Sequence, residues 1–380
     1  MSDRTHTVHG QESWRIATDD VEAFVTRLGG HLGPVTFDRQ AQRIRPFAMA
    51  PWADEVLGSD VPTLLRLLRG DFFCAPFGGN ESDYHGERHP FHGETSCRTW
   101  EFVEQGDGFV HVSLATEARA GRVDKWLRLK PGHEVLYQRH VISGMSGPMP
   151  LGHHAILGFP DRPGSGIVST SPFLFGQVYP GEFERPDRKG YSCLLPGGEF
   201  ASLREVPLAN GGYTDLASFP ARRGFEDLVM LVGDDSLPFG WTAVVFASEG
   251  FVWFSLRDPR VLRSTVLWIS NGGRHYEPWS GRHVNVLGVE DVTAFFHSGL
   301  AESAAENSIT ARGYPTSVQL DSQNPLVVNH IMGVAAIPAG FDEVIAIEPS
   351  TAAGEVTLRS QGGPSITVPL DLAFLTETQP

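Results

Sequence analysis

Apolar and polar residues alternate along several stretches in the middle of the chain, which is the two-residue period of a β-strand. The alternation is clear at 109–114, 126–129 and 135–142, and turns rich in Gly and Pro separate these stretches. Short strands joined in this way are typical of an antiparallel sandwich. The pattern predicts a mainly β protein built as a large antiparallel β-sandwich.

The strongest hairpin signal joins 241–247 to 251–256 through Ser248-Glu249-Gly250. A second predicted reversal joins 22–28 to 31–37 through Gly29-Gly30, and a helix ending at these glycines is the rival interpretation. Other predicted elements are a helical turn at 64–68, strands at 263–270 and 283–290, and short alternating runs over 335–375.

The region 160–222 is the least patterned part of the chain and contains eight prolines. A segment of this length is either an excursion that shapes a ligand pocket or a covering loop. There is no internal repeat, no low-complexity segment and no obvious linker. We therefore predict a single domain over residues 1–380 with a loop-rich excursion at about 160–222.

Composition agrees with this prediction. The chain has 380 residues, of which 41% are hydrophobic, and its 42 glycines and 27 prolines favour many turns over long helices. A formal net charge of −15 argues against nucleic acid and anionic membranes as partners, because both require clustered Lys and Arg. The oligomeric state does not follow from these observations.

Cysteine use and the N-terminal residues suggest the compartment. Cys74, Cys97 and Cys193 are widely spaced and form no C-x-x-C pair, which favours reduced thiols. Residues 1–13 are polar and lack the apolar segment of a secretory signal, and no apolar run approaches the length of a membrane span. We expect a cytoplasmic protein.

The common nucleophile and cofactor motifs are missing from the sequence. It contains no G-x-S-x-G, no P-loop, and no G-x-G-x-x-G after a strand. Histidine and carboxylate side chains remain, and these serve either proton transfer or metal binding.

One histidine cluster lies in a loop rich in Gly and Pro. His85, His89 and His92, with Glu94, have a spacing compatible with a metal site, although histidines in such loops are mostly exposed or bound to backbone. A function for His92 without metal is the favoured interpretation.

Two further positions draw attention. His153 and His154 are adjacent on a predicted strand, so only one of them can face a given pocket. Glu290 ends an apolar strand, where it either marks the solvent end or serves as a buried base with a raised pKa.

The chain resembles the hexose-6-phosphate 1-epimerases of the galactose mutarotase-like superfamily in a block of about 30 positions. Their pattern R-G-G-x-P-x-C-x-P-x-F-G … H-G-F-A-R … W is matched by Arg69-Gly70-Asp71-Phe72-Phe73-Cys74-Ala75-Pro76-Phe77-Gly78, then His92-Gly93-Glu94-Thr95 and Trp100. Further on, His154 resembles the histidine of H-x-Y-F, 265–271 resembles V-x-V-W-N, and 287–290 resembles C-V-E-P. The matches keep the order of the family from about residue 22 to about 300.

The resemblance implies a role for each matched residue. Glu290 is the general base, His154 the general acid, and Arg69 and His92 hold the sugar near its ring and anomeric oxygens. Trp268 would offer an apolar wall to the sugar. A sugar-binding aspartate of the superfamily falls near 224–227, which points to Asp227, with Glu226 or Asp215 as alternatives.

This resemblance implies a cofactor-independent isomerase without a metal, of the aldose 1-epimerase type, acting on a monosaccharide or a sugar phosphate. The sequence departs from the family pattern at Asp71, which stands in place of a glycine, and at Asp291, which stands in place of a proline. Two alternatives remain open: a carbohydrate-binding protein of the same fold without turnover, and a metal-dependent β-fold enzyme using His85, His89 and His92.

Overall fold

The computed structural model describes residues 4–378, and most of its regular structure is β-strand. The strands in chain order are β1 (Thr5–Val8), β2 (Gln11–Ala17), β3 (Glu22–Thr26), β4 (Leu32–Thr36), β5 (Phe73–Cys74), β6 (Glu101–Gly106), β7 (Phe109–Thr116), β8 (Gly121–Arg128), β9 (Val135–Ser143), β10 (Gly147–Met149), β11 (Leu151–His153), β12 (Ala155–Gly158), β13 (Gly166–Thr170), β14 (Phe173–Val178), β15 (Glu199–Phe200), β16 (Val206–Pro207), β17 (Tyr213–Thr214), β18 (Ser218–Phe219), β19 (Phe225–Gly233), β20 (Gly240–Phe246), β21 (Phe251–Arg257), β22 (Ser264–Asn271), β23 (Val286–Thr293), β24 (Val318–Leu320), β25 (Leu326–Ala336), β26 (Val344–Pro349), β27 (Glu355–Ser360) and β28 (Ser365–Pro369).

The helices of the described chain are short. They are α1 (Thr63–Leu67), α2 (Leu300–Ala304) and the 3₁₀ turns Glu94–Ser96, Pro186–Arg188, Thr310–Arg312 and Leu372–Thr376. Within residues 4–378, no helix has the length and apolar character needed to cross a membrane.

Two large sheets form the body of the molecule. The eight-stranded sheet has the order β15-β14-β19-β22-β23-β11-β5, and β12 also pairs with β23. The nine-stranded sheet has the order β18-β13-β20-β21-β25-β9-β8-β7-β6. Neighbouring strands in both sheets run antiparallel, for example β14 and β19 in the eight-stranded sheet and β6 and β7 in the nine-stranded sheet. The predicted mainly β antiparallel sandwich is confirmed.

The two faces of the eight-stranded sheet have different surroundings because side chains alternate along each strand. On β23, Leu287 and Val289 point to the inner face and join the core shared with the nine-stranded sheet. Val286 and Val292 point to the outer face and belong to a second cluster. The outer face carries the pocket described below.

Smaller sheets cover the remaining apolar surfaces. The N-terminal sheet β1-β2-β3-β4 adds Trp14 and Val25 to the central core. The C-terminal sheet β26-β27-β28 packs Ile347 and Leu358 against Trp241 and other residues of the nine-stranded sheet. This third layer buries the face of the nine-stranded sheet that points away from the central core.

Several sequence predictions are confirmed in detail. The hairpin of 241–256 is β20 and β21, paired from Gly240↔Arg257 to Phe246↔Phe251. The reversal at Gly29-Gly30 joins β3 to β4 and not a helix to a strand. The helical turn at 64–68 corresponds to α1.

The region 160–222 contains more regular structure than its composition indicates. Its first part supplies β13 and β14, which belong to the nine-stranded and eight-stranded sheets respectively. The prolines of this part lie outside the two strands, for example Pro172 between β13 and β14, so they interrupt neither strand. Irregular chain with two-residue strands occupies most of 179–224.

Candidate active site

A pocket of about 420 Å³, measured out to its mouth, lies on the outer face of the eight-stranded sheet. Its polar lining consists of His92, His154, Arg274, Glu290 and His297. Its aromatic lining consists of Phe91, Phe183, Trp268 and Trp279. Four of the predicted site residues therefore meet in one place: His92, His154, Trp268 and Glu290.

Strand register places His154 directly opposite Glu290. Gly152 pairs with Val292 on one side and Ala155 with Val289 on the other, so the register between β11–β12 and β23 is unbroken. Directly opposed side chains of an antiparallel pair lie on the same face of the sheet. His154 Nε2 and Glu290 Oε1 are 3.2 Å apart, which is within reach of direct proton exchange.

Burial disfavours charge on both members of this pair. It raises the pKa of Glu290 well above the ordinary value, and the nearby guanidinium of Arg274 acts in the opposite direction. It lowers the pKa of His154 to about 4, while the Asp71 carboxylate acts to raise it. Glu290 Oε2 and His154 Nδ1 are buried without a hydrogen-bond partner within the described chain. The pair is therefore left with unused hydrogen-bonding capacity.

The tautomer of His92 follows from its backbone contact. Its Nδ1 accepts a hydrogen bond from the Gly78 N–H at 3.3 Å, so in the neutral ring the proton resides on Nε2. Burial lowers the pKa of His92 well below the ordinary value, and the neighbouring histidines add to this. The ring meets His154 edge to face, with centroids 5.1 Å apart. His92 therefore offers one N–H donor beside the acid–base pair.

Trp268 forms a wall of the pocket and is held by Glu226. The indole Nε1–H donates to Glu226 Oε2 at 3.2 Å, and the Ser270 hydroxyl donates to Glu226 Oε1 at 3.0 Å. The ring of His283 stacks on the indole with centroids 5.4 Å apart. Burial raises the pKa of Glu226 to about 7. Glu226 thus acts on the pocket through Trp268.

Arg274 is the arginine of the pocket, and sequence reasoning missed it. It is paired with Glu184 and lies 3.9 Å from Glu226. Its guanidinium also lies over the rings of Trp279 and Phe183, at 4.5 and 5.3 Å from their centroids. The available signal was a cation three residues beyond a site strand, in the loop that follows β22.

His297 was missed as well, since it follows no motif and lies in a loop after β23. Burial lowers its pKa to about 4. Together with Phe91, Phe183 and Arg274, it also lines a larger cleft of about 2080 Å³ that adjoins the pocket. The cleft rim carries charges of both signs, including Glu182, Arg185, Arg188 and Glu302.

The structure does not bring Arg69 to the pocket, which corrects the role implied for it. The guanidinium is buried and donates to the carbonyl oxygens of Leu67, Val8 and His9. Arg69 therefore fastens the N-terminal hairpin to the segment before β5. The physical reason is that these three backbone acceptors occupy its donors.

Asp227 is also absent from the pocket lining. It lies on β19 next to Glu226, so the alternation of side chains directs it to the inner face. Its carboxylate accepts the backbone N–H groups of Cys193 and Leu194. Of the two alternatives, Glu226 supports Trp268, whereas Asp215 is bound to Arg204 and to backbone N–H groups.

The predicted histidine cluster is not a unit in the folded chain. His89 Nε2 lies 2.8 Å from Glu87 Oε2, His85 is exposed, and His92 points into the pocket. In the part of the chain from residue 4 to 378, no three His, Cys, Asp or Glu side chains are grouped to hold a metal ion. The three cysteines form no disulfide.

Comparison with known proteins places the fold. Neither protein-family models nor curated protein sequences match this chain. Among solved structures, a candidate aldose 1-epimerase from Escherichia coli superposes with a TM-score of 0.59 at 11% identity, over 86% of this chain and 99% of that one. A galactose mutarotase related enzyme from Lactobacillus acidophilus gives a TM-score of 0.55 at 11% identity, over 85% and 97%.

A third structure, a candidate aldose 1-epimerase from Klebsiella pneumoniae, gives a TM-score of 0.57 at 13% identity, over 86% of this chain and 80% of that one. Identities this low establish a shared fold and nothing finer. The chain therefore has the galactose mutarotase-like fold, as the motif resemblance predicted. The activity is a separate question, which depends on the side chains of the pocket.

Proposed function

We propose that this protein interconverts the α and β anomers of an aldose by acid–base opening and closure of the sugar ring. The observation that carries the proposal is the contact between His154 and Glu290, 3.2 Å apart, at the floor of an aromatic-walled pocket. An imidazole and a carboxylate within hydrogen-bond reach of each other provide one acid and one base.

In the proposed reaction, Glu290 removes the proton from the anomeric hydroxyl while His154 protonates the ring oxygen. The bond between the anomeric carbon and the ring oxygen breaks, and an open-chain aldehyde forms. Rotation about the neighbouring carbon–carbon bond exposes the other face of the carbonyl. On ring closure, His154 takes the proton back from the attacking hydroxyl and Glu290 returns its proton to the carbonyl oxygen, which becomes the new anomeric hydroxyl. The acid–base pair therefore ends as it began.

The resting pair has to hold its one proton on His154 before the first step. Burial favours the neutral form of each partner, whereas Arg274 favours ionised Glu290 and Asp71 favours protonated His154. Transfer across 3.2 Å interconverts the two arrangements. When a sugar binds, its anomeric hydroxyl and ring oxygen enter between His154 and Glu290. Contacts to the sugar then replace the contact between the two side chains.

The remaining lining residues have clear uses in this proposal. His92 donates its Nε2–H to a sugar oxygen, and Trp268 supplies an apolar face to the sugar C–H groups. Arg274, the arginine of the pocket lining, is already paired with Glu184, so the pocket favours an unphosphorylated sugar. Both proton transfers are assigned to protein side chains, and the proposal therefore includes no cofactor.

The test is the rate of anomer exchange, followed by polarimetry or saturation-transfer NMR across a panel of aldoses. Glu290→Gln and His154→Ala should each slow exchange by about 10²- to 10⁴-fold, the range typical of a lost general acid or base. Asp124→Asn, on the nine-stranded sheet, is the matched control and should exchange at the wild-type rate. Wild-type rates in both pocket variants would overturn the proposal.

A sugar-binding protein without turnover is the second candidate. It is favoured by the direct contact of His154 with Glu290, because a bound sugar has to part the two side chains before either can act on it. Calorimetric binding of an aldose by the wild-type protein, with no acceleration of anomer exchange, would select this candidate. Acceleration of exchange above the spontaneous rate would exclude it.

A further inference from the structure

A buried polar cluster lies on the inner face of the eight-stranded sheet, behind the pocket. Its first centre is Asp291, the neighbour of Glu290. The carboxylate accepts hydrogen bonds from Arg257 and Thr265 on Oδ1, and from Ser255 on Oδ2, each at 2.8 Å. Because Ser255 and Arg257 belong to β21, Asp291 ties the two large sheets together.

The second centre of the cluster is Asp71. Its Oδ2 accepts hydrogen bonds from Gln138 Nε2 at 2.6 Å and from His153 Nδ1 at 3.0 Å. Asp71 and His153 are both fully buried. This aspartate also exchanges backbone hydrogen bonds with Leu32, which fixes the chain that leads into β5.

The rings of two histidines connect these centres. His153 stacks on His330 with centroids 4.2 Å apart, and His330 Nε2 lies 2.9 Å from Asp291 Oδ2. Asp71, His153, His330 and Asp291 thus form one continuous series of contacts, which we call the inner cluster.

The inner cluster follows the acid–base pair residue by residue. His153 immediately precedes His154, and Asp291 immediately follows Glu290. His153 and Asp291 therefore lie on the opposite face of the sheet from the acid–base pair. In the same way, Asp71 contacts His153 and its neighbour Phe72 contacts His154. The Phe72 carbonyl accepts the His154 N–H at 2.9 Å, and the Phe72 ring stacks on the imidazole with centroids 4.5 Å apart.

We propose that Asp71 is a positioning residue for His154, which it holds opposite Glu290 through His153 and Phe72. The inference rests on the proposed function, since it assigns Asp71 a role in the same proton transfer. It also gives a use to the aspartate that departs from the family pattern.

The charge on Asp71 adds an electrostatic part to this role, because an anionic carboxylate favours the protonated imidazole of His154. Although burial opposes ionisation, His153, His330 and Lys125 hold the pKa of Asp71 at about 2, so Asp71 is anionic throughout the neutral range. The other titratable groups around His154 are His92 and Glu290 on the pocket side, Arg274 and Cys74 near Glu290, and His31 across the Phe72 ring. Burial lowers the pKa of His154, whereas the Asp71 carboxylate and a backbone hydrogen bond act to raise it.

The test is Asp71→Asn, which keeps the side-chain volume and removes the charge. We expect kcat for anomer exchange to fall by about 10- to 100-fold, because each unit lost from the pKa of His154 lowers the population protonated on His154 about tenfold. KM should stay near the wild-type value, because the sugar contacts lie on the other face. The acid limb of the kcat profile should move to lower pH, since this limb follows the pKa of His154.

Asp124→Asn is the matched control. Asp124 accepts from His111 Nε2 at 3.0 Å, the same pair type and distance as Asp71 with His153, but on the nine-stranded sheet away from the pocket. This variant should keep the wild-type kcat and acid limb. A variant that merely contains less folded protein would show a lower apparent rate, but the acid limb of its kcat profile would stay at the wild-type pH.

A second variant covers the case in which Asp71→Asn does not fold. His153→Phe keeps a ring for stacking on His330 and removes the hydrogen bond to Asp71; it should lower kcat with little change in KM. Folded variants with wild-type kcat and an unmoved acid limb, beside an active wild-type protein, would overturn this inference alone. A wild-type protein without turnover would overturn the proposed function as well.

Discussion

Glu290 and Asp291 are consecutive residues on β23, and the structure treats their carboxylates in opposite ways. Asp291 points to the inner face and accepts hydrogen bonds from Arg257, Ser255 and Thr265, with His330 as a fourth neighbour. Glu290 points to the pocket, touches His154, and leaves Oε2 without a partner in the described chain. One carboxylate is saturated and the other is kept available.

Glu290 and Asp291 show how one strand can provide both a stabilising carboxylate and a reactive one. A saturated buried carboxylate stays ionised, and the neighbouring charges indeed hold the pKa of Asp291 far below its ordinary value, although burial opposes this. Burial raises the pKa of the unsaturated Glu290, which can then exchange a proton with a ligand. The alternation of side chains separates these two environments by one residue.

The largest expected effect on stability comes from removing the charge of Asp291, the carboxylate whose hydrogen-bonding capacity is filled. Asp291→Asn leaves Arg257 buried without its counter-charge and should lower the free energy of unfolding by about 3–5 kcal/mol. Glu290→Gln removes a carboxylate with few partners and should change it by less than about 1 kcal/mol. Urea unfolding of both variants measures the difference, and equal losses would contradict the comparison.

A smaller effect follows from acid. The pKa of Asp71 is about 2 in the fold against 3.8 for the free side chain. A depressed carboxylate pKa contributes stability that is complete above the unfolded pKa and is lost as the pH falls through the folded one. We expect roughly 2 kcal/mol of stability to disappear between about pH 4 and pH 2 in the wild-type protein.

Asp71→Asn supplies the control for this acid transition. It should unfold more readily at pH 7 and lose less of its remaining stability on acidification, because the titrating group is gone. Urea midpoints recorded at several pH values for both proteins give the comparison. An acid dependence identical to that of the wild-type protein would show that Asp71 is not the group responsible.

The smallest effect is expected at the pair of Asp124 and His111, which is partly exposed to solvent. Asp124→Asn should cost about 0.2–1 kcal/mol of the free energy of unfolding, as is usual for ion pairs in contact with water. The same urea titration measures this loss. A loss as large as that of Asp291→Asn would mean that burial does not determine how much stability each carboxylate contributes.

Much of the fold was predictable because alternation and turn residues are local signals. The β20–β21 hairpin and the reversal at Gly29-Gly30 needed nothing beyond the sequence itself. The assembly of His154 with Glu290 was predictable only through a motif resemblance, because 135 intervening residues have to fold before β23 reaches β12. The register that opposes them is a property of the sheet.

Other features left no local signal. Glu226 and Asp227 are adjacent acidic residues at the start of one apolar strand, and nothing in the sequence decides which of them faces the pocket. Arg69 matches the motif, yet its donors are taken by carbonyl oxygens about 60 residues away at Val8 and His9. Arg274 enters the pocket from a loop whose path is fixed by tertiary contacts.

Three of the eight tryptophans form a cluster at the pocket, and two of them, Trp268 and Trp279, belong to its wall. Trp268 and Trp52 both meet Trp279 edge to face, with ring centroids 5.9 and 5.0 Å apart. Indoles at such separations couple their electronic transitions, and Trp268 lines the pocket. The protein thus carries an intrinsic optical reporter, whose fluorescence and near-ultraviolet circular dichroism register occupancy of the pocket without any attached label.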